Sequence, residues 1–331
     1  MILNPAALAL VSGSLFMTGF ALYASALGRR IIASWDLRSG SQLQLSLERK
    51  TYLVSTILSC FLFFELTSLL LFIHTADRLH SVFVGAMCAA GSLNVNAYGY
   101  PTLVLKIFNF VLCGVWLVLN HTDNKGFDYP LVRAKYKLLY FVTASLVLET
   151  IFQAHYFISA RPDVITSCCG TLFSGDAKSI AGGIASLPLF PTRILFYVTS
   201  IMTLRSGIHF YMTGGAARLF SRLSTGLLFV SFLAIISFIS VYIYELPTHH
   251  CPFCLLQKEY HYIGYPLYLS LLVAGVTGAS VGVINRFKDI ASLRQIVPTL
   301  QKQLCLVSML GHATFAVVAT QALVFSELKL G

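Results

Sequence analysis

The chain has 331 residues, 56% of them hydrophobic and only 11% charged, with a formal net charge of +10 and a mean hydropathy of +0.76. Soluble globular chains carry about 25% charged residues, so an ordinary soluble domain is excluded. The basic excess is spread over short loops between apolar segments and forms no stripe, which argues against nucleic acid and leaves the lipid bilayer as the partner that composition implies.

A helix crosses the hydrocarbon layer with about 20 apolar residues. Eight segments qualify in chain order: Pro5–Leu27, Thr51–His74, Tyr100–Asn120, Leu138–Ala160, Thr192–Thr213, Leu223–Leu246, His261–Asn285 and Leu304–Phe325. The first ends in Ala24-Ser25-Ala26, which looks like a signal-peptidase site, but it lacks a basic leading region and its apolar run is long, so it reads as a retained span. The expected fold is an all-α integral membrane protein, a polytopic bundle of about eight transmembrane helices. Residues 1–137 hold the first three spans and an outer segment with Cys88. Residues 138–331 hold the other five, an outer Cys-Cys loop and the CPFC motif. Whether these are two parts or one continuous membrane domain is left open.

Orientation follows from the charges. One set of alternate loops holds 15 Lys and Arg residues, from Arg29 to Lys302, and the other set holds 6: Arg78, Arg161, Lys178, Arg193, Lys258 and Lys329. The positive-inside rule puts the richer set on the cytoplasmic side and both termini outside. Five of the eight cysteines then fall on the outer side: Cys88, Cys168, Cys169, Cys251 and Cys254. That side permits disulfides if it is the periplasmic face of a bacterial inner membrane, the favoured assignment, or the lumen of an organelle. Cys60, Cys113 and Cys305 lie within spans and read as small apolar residues.

The sharpest motif is His249-His250-Cys251-Pro252-Phe253-Cys254. Placed at the start of the seventh span, it would set a thiol near unpaired backbone N–H groups, favouring thiolate. If Cys254 is already helical, Lys258 at i+4 and His261 at i+7 share its face and support the thiolate. Cys168 and Cys169 are adjacent. Their Cα atoms stand 3.80 Å apart across a trans peptide, closer than an unstrained disulfide wants, so a bond between them would be easily reduced. A bridge from this loop to Cys251 or Cys254 is the relaxed alternative. Thiolate and imidazole also suit soft or borderline metals, so Cys168, Cys169, Cys251, Cys254, His249 and His250 form an alternative ligand set for copper or zinc. Glu65, Lys106, Glu149 and Arg205 lie inside spans, where charged groups are normally paired. Equal depth suggests Glu149 with Arg205 and Glu65 with Lys106.

Between Leu138 and Val283 the order is an outward helix, a cysteine loop, a short small-residue segment, an inward and an outward helix, and then C-P-x-C. This resembles the membrane thiol oxidoreductases of the vitamin K epoxide reductase type, and DsbB with its elements permuted. The resemblance implies that Cys168 and Cys169 exchange electrons with Cys251 and Cys254, which would reduce a membrane quinone. Two features depart from that family: its loop cysteines are spaced apart, and it needs no His-His. In the first half, Cys88 is followed by Tyr98-Gly99-Tyr100-Pro101, an echo of Ile263-Gly264-Tyr265-Pro266 after CPFC, as a duplicated unit would give. Three functions stay open. The first is a thiol–disulfide oxidoreductase linked to quinone and to a periplasmic thiol protein. The second is a metal-capturing membrane protein serving a periplasmic metal carrier. The third is a structural subunit of a membrane complex.

Overall fold

A computed structural model describes residues 4–36, 39–166 and 180–328. Cys168 and Cys169, together with Arg38, Lys178 and Lys329 of the charge count, lie outside the described residues. Within them all regular structure is helical: α1 (Pro5–Ser34), α2 (Gln42–Leu79), α3 (Ala89–Leu93), α4 (Gly99–Lys125), α5 (Val132–Ser159), α6 (Ile180–Ala185), α7 (Leu189–Thr213), α8 (Ala217–Ala234), α9 (Ser240–Tyr244), α10 (Gly264–Ile284) and α11 (Ile296–Phe325). A π-helical turn, Ile235–Ile239, joins α8 to α9. Among the described residues, seven helices are long and apolar enough to cross a membrane. The expected fifth span forms as α7 but is not among these seven, because Arg193, Arg205 and His209 dilute its apolar stretch. Several helices overrun the apolar segments, α1 by seven residues to Ser34 and α11 by eight from Ile296. Hydropathy stops at the first charges, whereas Arg, Lys, Gln and Leu continue to favour helix.

The chain divides into two compact units: Met1–Thr75 with Asn96–Ala160 and Val283–Leu300, and Ala76–Val95 with Arg161–Gly282 and Gln301–Gly331. In the first unit α1, α2, α4 and α5 share one core, with Met17, Leu58, Trp116 and Tyr136 all 1% exposed or less. Apolar burial drives little of this inside lipid, so helices there rely on packing and hydrogen bonds between them. Such bonds run along α1 and α5: Ser25 to Thr143 at 2.8 Å, Thr18 to Thr150 at 2.7 Å and Gln153 Nε2 to Ser14 Oγ at 2.8 Å. Large apolar side chains point outward instead, Phe16 at 73% and Phe141 at 72% exposure among them, the pattern a lipid-facing surface needs.

In the second unit Phe196 packs edge-on against Phe238 and Phe315. Gly278 lets α10 close on its neighbours, since a Cβ there would stand 2.0 Å from Ser224 Oγ and 2.7 Å from Ser308 Oγ. Ser224 in turn meets His312 Nε2 at 2.9 Å. These features identify an all-helical integral membrane protein.

A buried thiol centre

Three cysteines from two stretches of the second unit meet. Cys88 precedes α3, and Cys251 and Cys254 lie in the connection between α9 and α10. Their sulfurs all fall within 4.8 Å of one another, with Cys88 Sγ and Cys251 Sγ 3.7 Å apart. Cys88 and Cys251 are fully buried, and Cys254 is 7% exposed.

The local sequence explains the convergence. After α2 the chain turns at Gly85, whose φ of +85° is open to glycine and costly for other residues. Its bare Cα also admits the Thr166 carbonyl, which would stand 2.5 Å from a Cβ. Thr166 fastens this segment twice more, its N–H donating to the Val84 carbonyl at 3.0 Å and its hydroxyl to the Gly91 carbonyl at 2.8 Å. On the other side, the Tyr244 hydroxyl donates to the Cys251 carbonyl at 2.6 Å and the Tyr268 hydroxyl to the Pro252 carbonyl at 2.5 Å. Gln257 spans the two stretches, its Nε2 donating to the Met87 carbonyl at 3.0 Å. Every clamp acts on backbone, so the sulfurs are positioned by main chain held rigidly on both sides.

The motif does not open a span as expected. Cys254–Leu256 and Lys258–Tyr260 form two short 3₁₀ turns, and α10 begins only at Gly264. His261 and Tyr262 both have positive φ, +53° and +56°, which no α-helix admits. Lys258 and His261 therefore do not share a helical face with Cys254. Both side chains are exposed while Cys254 is buried. Leucines at 255 and 256 turn inward and carry the cysteine with them.

The histidines separate. His250 Nδ1 meets the Ile236 carbonyl at 2.9 Å, inside the π-helical turn, where backbone acceptors are displaced from the α ladder. His249 stacks its ring edge-on against Tyr244 at 4.5 Å, and its Nε2 is buried with no hydrogen-bond partner. Burial lowers the His249 pKa, offset in part by a raising effect of Cys88 and reinforced by a still smaller lowering effect of His250. The imidazole is thus neutral at pH 7, the form that accepts a proton or a metal. Burial likewise raises the Tyr260 phenol, with Cys254 and Glu259 adding to it.

Glu149 is held by Lys106 at 2.7 Å and by Asn109 Nδ2 at 2.6 Å, not by Arg205, which is exposed on α7. Equal depth along two helices does not fix the direction in which side chains point. Cys113 and Cys305 are buried, and Cys60 is exposed, lining an open apolar groove of about 800 Å³ with Phe16, Phe20, Phe61 and Phe64. None of the three clustered thiols lines that groove. Gly-Tyr-Pro opens a helix twice, at Gly99 and at Gly264, with proline in the first turn, where its missing N–H is harmless. The part missed from sequence was the degree to which Cys88 belongs with CPFC. Its signal was the glycine pair Gly85 and Gly91 around it.

No protein-family model, curated protein or solved structure matches the chain.

Proposed function

We propose that this chain is an eight-span membrane thiol–disulfide oxidoreductase with both termini outside. It exchanges electrons between outer-face thiols and a membrane quinone, in a bacterial inner membrane with the cysteines toward the periplasm. The observation that supports this reading is the mutual approach of Cys88, Cys251 and Cys254 to within 4.8 Å. A disulfide has an S–S bond of about 2.05 Å, so closing Cys88 to Cys251 from 3.7 Å takes an approach of under about 2 Å. Any two sulfurs can form the bond while the third stands ready to reopen it, the geometry that disulfide exchange through a thiolate requires. Oxidation of two thiols releases two protons and two electrons, which convert one quinone to quinol. Exchange of that bond with the third thiolate, or with an outer thiol, moves it without net electron change. Thr166, fastened beside Cys88, is two positions before Cys168 in the sequence, which favours the loop pair as the next carrier.

One observation favours a second reading, a soft-metal centre. Sulfurs bound tetrahedrally at about 2.3 Å stand about 3.8 Å apart, close to the 3.7 Å between Cys88 and Cys251. His249 Nε2, neutral and without a partner, is a candidate fourth donor after a side-chain rotation. The two readings separate in one sample. Purified protein is analysed for copper and zinc, and its thiols are counted before and after incubation with quinone. Loss of two thiols on quinone addition, with no metal bound, supports the oxidoreductase. Stoichiometric metal that Cys88→Ser removes, with thiols unchanged by quinone, refutes it and supports the metal centre.

A further inference from the structure

The first unit carries a second buried cluster that the thiol chemistry does not use. Lys106 on α4 extends its ammonium between two carboxyl groups, 2.7 Å from Glu149 Oε1 on α5 and 3.5 Å from Glu65 Oε1 on α2. Its third contact is the Ser68 hydroxyl at 2.9 Å. All three charged side chains are 0% exposed. Two carboxylates and one ammonium leave a net charge of −1, and an uncompensated buried charge costs several kcal/mol even after relaxation.

The same unit shows what a balanced structural pair looks like. Lys135 meets Asp123 at 2.7 Å, one cation to one anion, and Lys135 also donates to Asn120 Oδ1 at 3.0 Å. A brace needs no more than that. The triad has one carboxyl group too many.

The hydrogen bonds show which one. Both oxygens of Glu149 accept, from Lys106 Nζ and from Asn109 Nδ2 at 2.6 Å, as an ionised carboxylate should. Glu65 Oε2 accepts from Ser68 at 2.9 Å, but Glu65 Oε1 is met only by the long 3.5 Å contact from the ammonium, which is spent chiefly on Glu149 at 2.7 Å. Asn109, 0% exposed and oriented by its bond to Glu149, presents a second buried acceptor, Oδ1, that lacks a partner. One dry acceptor without a donor and a second held only by a long contact, in a cluster one positive charge short, describe a missing hydrogen. Around it, Cys113 follows on α4 and the Phe72 ring lies 5.8 Å from the ammonium, while α1, packed on α5, bonds through Ser14 to Gln153 and through Thr18 to Thr150.

We propose that Glu65, Lys106 and Glu149 form a proton-binding site within the membrane, with one exchangeable proton carried on Glu65 and the Lys106–Glu149 ion pair holding it in place. This inference does not rest on the thiol reading. It is tested by infrared difference spectroscopy of the full chain in lipid nanodiscs at neutral pH. One protonated carboxyl C=O band is expected, shifted in heavy water, and reduced in intensity as pH is raised. Glu65→Gln and Glu149→Gln should each abolish it, since either leaves a balanced pair. Asp123→Asn should leave it unchanged. Absence of the band, its persistence in Glu65→Gln, or a band that neither shifts in heavy water nor titrates would overturn the proposal, as would sodium-dependent loss of the band at constant pH. If the glutamine variants do not fold, the heavy-water shift and titration of the wild-type band decide alone.

Discussion

Replacing Lys106 with Met keeps much of the side-chain volume and removes only the cation. The Lys106 ammonium meets Glu149 at 2.7 Å, Ser68 at 2.9 Å and Glu65 at 3.5 Å, with no exposure to solvent or lipid. Removing one partner of a buried ion pair leaves the other uncompensated, at a cost of about 3–5 kcal/mol. Glu149 keeps its Asn109 bond, which holds the estimate toward the lower end. Adding Glu149→Gln removes the orphaned charge, so the double variant should recover stability relative to Lys106→Met. A coupling of about 2–3 kcal/mol is expected between the two changes, the upper range for groups in direct contact. The assay is reversible unfolding in mixed micelles for the wild type, both single variants and the double. Arg205→Met, at an exposed position, serves as the control and should shift stability by no more than about 0.5 kcal/mol. A Lys106→Met loss below about 1 kcal/mol, or strictly additive changes, would refute the claim that the triad is a dry, coupled unit.

Gly278→Val should destabilise by about 1–3 kcal/mol through overpacking, because its Cβ would press on Ser224 Oγ at 2.0 Å, whereas Gly226→Val on α8, with nothing within 4 Å, should be mild. Thermal unfolding of the pair checks this. Gly85→Ala should strain a backbone at φ +85° and loosen the Cys88 segment; with a cost of about 1–2 kcal/mol for the left-handed conformation, alkylation of Cys88 by a membrane-permeant maleimide should accelerate roughly tenfold, read by mass spectrometry. His249 gives a pH effect of defined sign. Its pKa is lowered in the folded state by burial, so as pH falls through the ordinary imidazole range near about 6.5 the unfolded chain takes up a proton that the folded chain resists. Stability should therefore decline from pH 7 to pH 5, and His249→Gln should flatten the decline when unfolding midpoints are compared across that range.

The spans were legible because hydropathy accumulates over twenty residues and tolerates error at the ends. α7 shows the limit: Arg193, Arg205 and His209 in one stretch blur a helix that forms all the same. Azimuth was not legible. Counting along the spans suggested Arg205 for Glu149, yet Lys106 takes Glu149, because side-chain direction depends on packing among α2, α4 and α5 that no linear spacing encodes. The CPFC motif was visible as chemistry but misplaced as structure. Its i+4 and i+7 partners assume an α-helix, and the positive φ at His261 and Tyr262 breaks that assumption. Cys88 was legible only faintly, since its approach to Cys251 depends on a 163-residue separation in the chain.

The π-helical turn at Ile235–Ile239 has a consequence for how this protein tolerates change. A π turn accommodates one residue more than the α ladder would, and each residue of an α-helix advances about 100°. Deleting a single residue from that turn would let the helix run on as a regular ladder while Tyr244 beyond it keeps nearly its present bearing, because the turn absorbs the extra residue locally. The hydroxyl that pins the Cys251 carbonyl would stay in place, and the loss would fall on His250, whose Ile236 carbonyl would be reclaimed by the ladder. Point substitutions within the turn leave the count intact. Length, not identity, is what His250 reads from this helix, so the segment should accept varied apolar residues, and a single codon's loss should cost that contact while sparing the Tyr244 clamp.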